Sequence, residues 1–98
     1  MENTPHYQGH RKRLKEKFDE APTVLADYEI LELILGYAIP RKDVKPIAKE
    51  ILKNAGSIGS IFDLNYRNVE GVGKETERFF RIIAEFYSRI ENAYYEVK

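Results

Sequence analysis

The residues best placed to do chemistry are Val69-Glu70-Gly71-Val72-Gly73, followed at once by Lys74. Two glycines around one apolar residue let the backbone turn sharply, and they strip side chains from the surface of the turn. An approaching phosphate could then reach main-chain N–H groups. A long helix pattern starts at Lys74, so these N–H groups would lie at a helix N-terminus, where the macrodipole favours an anion. Lys74 adds a cation there, and Val72 should point inward to anchor the turn. Such a unit grips the sugar-phosphate backbone without reading base sequence. The opposite reading is a purely structural turn. Glu70, Glu75 and Glu77 favour it, because carboxylates repel phosphate and an acidic first turn complements the helix dipole.

Further cations could extend a phosphate contact. Arg41 and Lys42 sit just before a helix start, where positive charge opposes the dipole. That placement suggests either a use in holding phosphate or two side chains that simply point to water. Residues 6–18 carry Arg11, Lys12, Arg13, Lys15 and Lys17 against Glu16 alone. These segments could build one basic face, or they could be ordinary solvated helix faces. Glu29 and Glu32 read as a solvated acidic edge.

The other chemistries lack parts. His6 and His10 have the four-residue spacing of a zinc site on a helix. No cysteine accompanies them, no glutamate lies between them in the metalloprotease pattern, and cations follow directly. They read as surface histidines at a loose helix start. No nucleophile elbow, Walker loop or dinucleotide fingerprint occurs. The expectation is a domain with no catalytic residues, no metal and no cofactor.

The elements that must position the hairpin are helical. Leu14 and Phe18 mark a basic amphipathic helix over about 7–19, ended by Ala21-Pro22. A second helix runs from Asp27 to about Tyr37 and is apolar nearly all round, which places it centrally. After the connector Ile39-Pro40-Arg41-Lys42, Asp43 should cap a third helix, with Pro46 in its first turn and Gly56 at its left-handed end. Its inward stripe is Val44, Ile47, Ala48, Ile51 and Leu52. Ser57 should open a short fourth helix with Ile58, Ile61, Phe62 and Leu64 inward. The last helix runs from about Lys74 to Tyr94 or beyond, with Phe79, Ile83, Phe86, Ile90 and Ala93 as its main stripe. Its C-terminal end should overhang the core. No alternating strand pattern is present. The expected fold is all-α, a compact bundle of about five helices, one domain over residues 1–98, with a helix-hairpin-helix at about 57–85.

Composition sets the outer limits. The chain has 98 residues, enough for one domain and its core. Hydrophobic residues make up 43% and charged residues 33%, which excludes disorder by composition. Sixteen basic and sixteen acidic residues cancel, which argues against a generic polyanion binder. The apolar run at 30–39 is interrupted by Glu32 and is too short for a bilayer span. The lack of cysteine is compatible with a reducing interior, so a cytoplasmic location is expected.

Several stretches together resemble the N-terminal helical domain of the RadC family. They are Gly9-His10-Arg11-Lys12-Arg13-Leu14, Asp27 to Leu35, Tyr37-Ala38-Ile39-Pro40-Arg41-Lys42-Asp43-Val44-Lys45-Pro46, and Gly71-Val72-Gly73, in matching order over about residues 9–90. The resemblance implies a bacterial protein with a DNA-repair association and a helix-hairpin-helix element. It also implies a C-terminal JAB/MPN-type metalloprotease-like domain, whose zinc motif does not occur in this chain. The pattern departs at Glu77, where such hairpins carry a small residue, and at Glu70, where proline is frequent. Two functions are expected to compete. One is DNA-backbone binding through Gly71, Val72, Gly73 and Lys74, extended by Arg11, Arg13, Arg41 and Lys42. The other is a protein-interaction domain that docks the metalloprotease-like domain or forms a homodimer through Tyr87, Tyr94 and Tyr95.

Overall fold

The structure, a computed structural model, describes residues 6–96, with side chains through Ala93. It is all-α. Helices α1 (His6–Glu20), α2 (Asp27–Ala38), α3 (Lys45–Ala55) and α4 (Lys74–Glu96) are joined by 3₁₀ segments at Pro22–Val24, Ile58–Asp63 and Tyr66–Asn68. Among the described residues no helix is long and apolar enough to cross a membrane.

The core forms where α2 meets α3. Leu35, Ala48 and Ile51 are fully inaccessible, and Leu31, Val44 and Ile47 nearly so. Burial of such side chains stabilises the fold by about 1.5–3 kcal/mol each. The helix boundaries follow from local chemistry. The Ala26 N–H donates to Glu29 Oε1 at 2.8 Å, which closes the first turn of α2. The Lys45 N–H donates to Asp43 Oδ1 at 3.1 Å at the start of α3, and Pro46 occupies the first turn without losing a bond. Gly56 ends α3 at φ +86°, its N–H donating to the Leu52 carbonyl at 2.8 Å.

The expected short fourth helix is a 3₁₀ segment, Ile58–Asp63. Gly59 and Ser60 lower its helix propensity, and six residues do not repay α-helical nucleation. Ile61 is buried, but Ile58 and Phe62 are over 40% exposed. A 3₁₀ segment therefore stands where the first helix of a helix-hairpin-helix was expected. Next to it, Tyr66 stacks on Phe80 at 4.7 Å between centroids, and its hydroxyl donates to the Ile61 carbonyl at 2.8 Å. Burial pushes the Tyr66 phenol up to about 12.

Helix α1 packs on α2 with one buried residue, Leu14. Polar contacts do the rest. Lys17 Nζ lies 3.4 Å from Glu29 Oε2, and His10 Nε2 lies 2.5 Å from Glu32 Oε2. The Ala26 N–H, and after it Lys17, hold the Glu29 carboxyl below the usual carboxylate range. Glu32 is only 5% exposed, and its Oε1 has no partner among the described residues. This corrects the reading of Glu32 as a solvated edge and of His10 as a loose surface histidine. The cross-helix partner joins both in a half-buried hydrogen bond, which helical spacing alone does not reveal.

Helix α4 buries side chains against the body only in its first half. Thr76 and Phe80 are buried, whereas every described residue from Glu85 to Ala93 is exposed. The inward line is thus Phe80, not the expected stripe through Phe86 and Ile90. The extents of 58 × 34 × 22 Å reflect this overhang. The side chains of Tyr94 and Tyr95, expected at a dimer contact, lie outside the described residues.

Candidate nucleic-acid interface

The hairpin is anchored from below. Val69 is buried and Val72 half-buried against the core, and the Val72 N–H donates to the Val69 carbonyl at 3.2 Å. Gly71 turns the chain at φ +88°, and a Cβ there would come within 3.1 Å of Ile47 Cγ1. Gly73 differs: its φ is ordinary and a Cβ there would meet nothing within 4 Å. The first α4 hydrogen bond runs from the Glu77 N–H to the Gly73 carbonyl at 3.0 Å. The N–H groups of Lys74, Glu75 and Thr76 precede it and have no acceptor among the described residues, as at any helix start.

A cleft opens at this point, lined by Arg67, Val72, Gly73, Lys74, Glu77, Arg78 and Arg81. Its lining carboxylate Glu77 is engaged, as is the neighbouring Glu75. Glu77 Oε2 lies 3.7 Å from Arg67 Nε, and Glu75 Oε1 lies 2.6 Å from Arg78 Nη1. Lys74 and Arg81 have no partner among the described residues, and Glu70 is exposed. Two of the acidic residues that argued against phosphate, Glu75 and Glu77, are therefore paired with arginines, and with Arg81 the cleft carries three arginines absent from the sequence-based set. Their signal was present: Lys74, Arg78 and Arg81 fall at i, i+4 and i+7, one face of a helix. Arg67 could be found only from the fold.

The other expected cations divide. Lys42 lines an adjoining cleft with Gly71, Glu75, Thr76 and Arg78, so the α2–α3 connector does approach the hairpin. Arg41 is exposed beside it. Arg11 is committed elsewhere. Its guanidinium donates to the carbonyls of Pro40 at 2.7 Å and Lys42 at 2.8 Å, and it lies over the Tyr7 ring at 5.3 Å. It clamps the connector and is not free for phosphate. Gly36 makes room for it, since a Cβ there would sit 3.0 Å from Arg11 Nε. Arg13 is exposed on α1 and lies close over Gly9. No cluster of three or more metal-ligating side chains occurs among the described residues.

Comparison with known proteins finds relatives among curated sequences. No family model matches the chain, and no solved structure matches it. Among curated proteins, a UPF0758 protein of Fusobacterium nucleatum is 44% identical over 87 residues, which cover 85% of this chain. The likeness agrees with the RadC resemblance of the sequence. The chain spans 38% of that relative's length, so the two share one region and not a whole protein.

Proposed function

We propose that this chain is the N-terminal helical region of a RadC-like bacterial protein, and that it holds the DNA backbone without sequence preference at the 69–74 hairpin. One observation carries the reading. N–H groups at the start of α4 open beside Lys74 and Arg81, all without partners among the described residues, while Glu75 and Glu77 are tied to arginines. The region is non-catalytic: it supplies cations and backbone donors but no nucleophile. Lys42 and Arg41 extend the contact along the connector.

Fluorescence anisotropy with labelled duplex and single-stranded DNA tests it. A contact with two to four phosphates predicts a log–log salt slope of roughly −2 to −4 on duplex, little dependence on sequence, and a dissociation constant of about 10⁻⁴ to 10⁻⁶ M at physiological salt. Lys74→Ala should reduce the slope by about one. Absence of binding at low salt refutes the proposal.

A second reading, docking of another protein domain such as a metalloprotease-like one, is favoured by an apolar groove on α1 and α2. Phe18, Ile30, Leu33, Ile34 and Tyr37 line it, with Tyr37 74% exposed. Tyr37→Ser combined with Ile34→Ser would abolish such docking and leave DNA binding intact.

A further inference from the structure

We infer that the outer face of α4 is a homodimer seam, closed by a second copy of this chain in antiparallel orientation. Ile82, Phe86 and Ile90 are 61%, 65% and 51% exposed. At 100° per residue they lie within one arc of about 80°. The body covers a different side of the helix: Phe80 is buried in it, and the Tyr87 ring lies 6.0 Å from Phe62. An exposed apolar row on one face is unusual for a solvated helix and marks an interaction surface.

The pattern identifies the occupant because it is self-complementary about Phe86. A two-fold axis there sets Ile82 beside the partner's Ile90 and Phe86 beside the partner's Phe86. The charges agree. Glu85 Oε2 and Arg89 Nε already pair at 2.9 Å on the flank of this face. Antiparallel pairing keeps that flank on the same side in both copies. The partner's Arg89 then lies about 3 Å along the axis from Glu85, given a rise of 1.5 Å per residue. Each carboxylate sits between two guanidinium groups. A parallel two-fold arrangement would instead put the two Glu85–Arg89 flanks on opposite sides of the seam, out of each other's reach. A seam of a few layers falls below the roughly 1,200 Å² of a standard interface, so association in the micromolar range is expected.

The proposal does not depend on DNA binding, since Glu85, Phe86 and Arg89 lie outside the hairpin cleft. Sedimentation equilibrium over a wide concentration range tests it. The wild-type chain should shift from monomer to dimer as concentration rises, and Phe86→Glu should remain monomeric with an unchanged far-ultraviolet circular dichroism spectrum. Glu85→Arg or Arg89→Glu alone should weaken association by about tenfold, the effect of a lost charge-assisted contact. The double exchange should restore it. A monomer at every concentration overturns the proposal and assigns the face to some other partner. Dimerisation that survives Phe86→Glu, or a double exchange that fails to restore it, overturns it equally.

Discussion

Gly71 and Gly73 look equivalent in the sequence, and the structure separates them. Gly71→Ala places a Cβ in the left-handed region, which costs roughly 1–2 kcal/mol for an L-residue. The same Cβ comes within 3.1 Å of Ile47 Cγ1. Ile47 is buried and cannot swing away, so the contact adds overpacking at the low end of about 1–3 kcal/mol. Alanine restricts the unfolded chain more than glycine does, which returns about 0.4–1 kcal/mol. The net loss is about 2 kcal/mol. Gly73→Ala has an ordinary φ and open space, and loses only the better N-cap, up to about 1 kcal/mol. Urea unfolding followed by circular dichroism measures both, with stability read from the midpoint at constant slope. If Gly71→Ala proves as mild as Gly73→Ala, the positive φ does not hold the hairpin and the reasoning fails.

Other outcomes follow from single contacts. His10→Ala leaves the Glu32 carboxylate buried without its partner and should cost about 1–3 kcal/mol, whereas a His10→Leu, Glu32→Leu pair should recover most of it in the same unfolding assay. Tyr66→Phe removes a buried hydrogen bond and should cost about 1 kcal/mol at neutral pH. Because the folded Tyr66 phenol is raised to about 12 from 10, wild-type stability is intact below pH 10 and declines as pH rises toward 12. Tyr66→Phe should decline less over that window. Glu29 has a lowered folded pKa, so its contribution is present above the ordinary carboxylate range and is lost as pH falls through the folded value. Acid titration of Glu29→Gln should therefore show a shallower loss than wild type.

Legibility tracked the range of the interaction. The α3 stripe, its Pro46 start and its Gly56 stop depend on neighbours a few residues away, and the sequence analysis placed all three. The outer half of α4 carries the same kind of apolar spacing as α3, yet it lies exposed, because periodicity reports a face and not what covers it. His10 with Glu32, and Arg11 with the Pro40 and Lys42 carbonyls, span 22 to 31 positions and exist only once α1 docks. Charge counting treated all of them as surface. At the hairpin the glycines were legible from type alone. The engagement of Glu77 by Arg67 required the 3₁₀ turn that brings Arg67 across.

Helix α1 buries one side chain, Leu14, over fifteen residues. Its attachment is therefore electrostatic where that of α3 is apolar, and the two respond differently to solvent. Salt that leaves the α2–α3 core untouched weakens the Lys17–Glu29 contact. Native-state hydrogen exchange should find α1 opening as a separate unit well below the free energy of global unfolding. Each opening also releases the Arg11 clamp and with it the connector that carries Lys42 to the hairpin. Ionic strength thus acts on the hairpin surface at a distance, by loosening the segment that completes it.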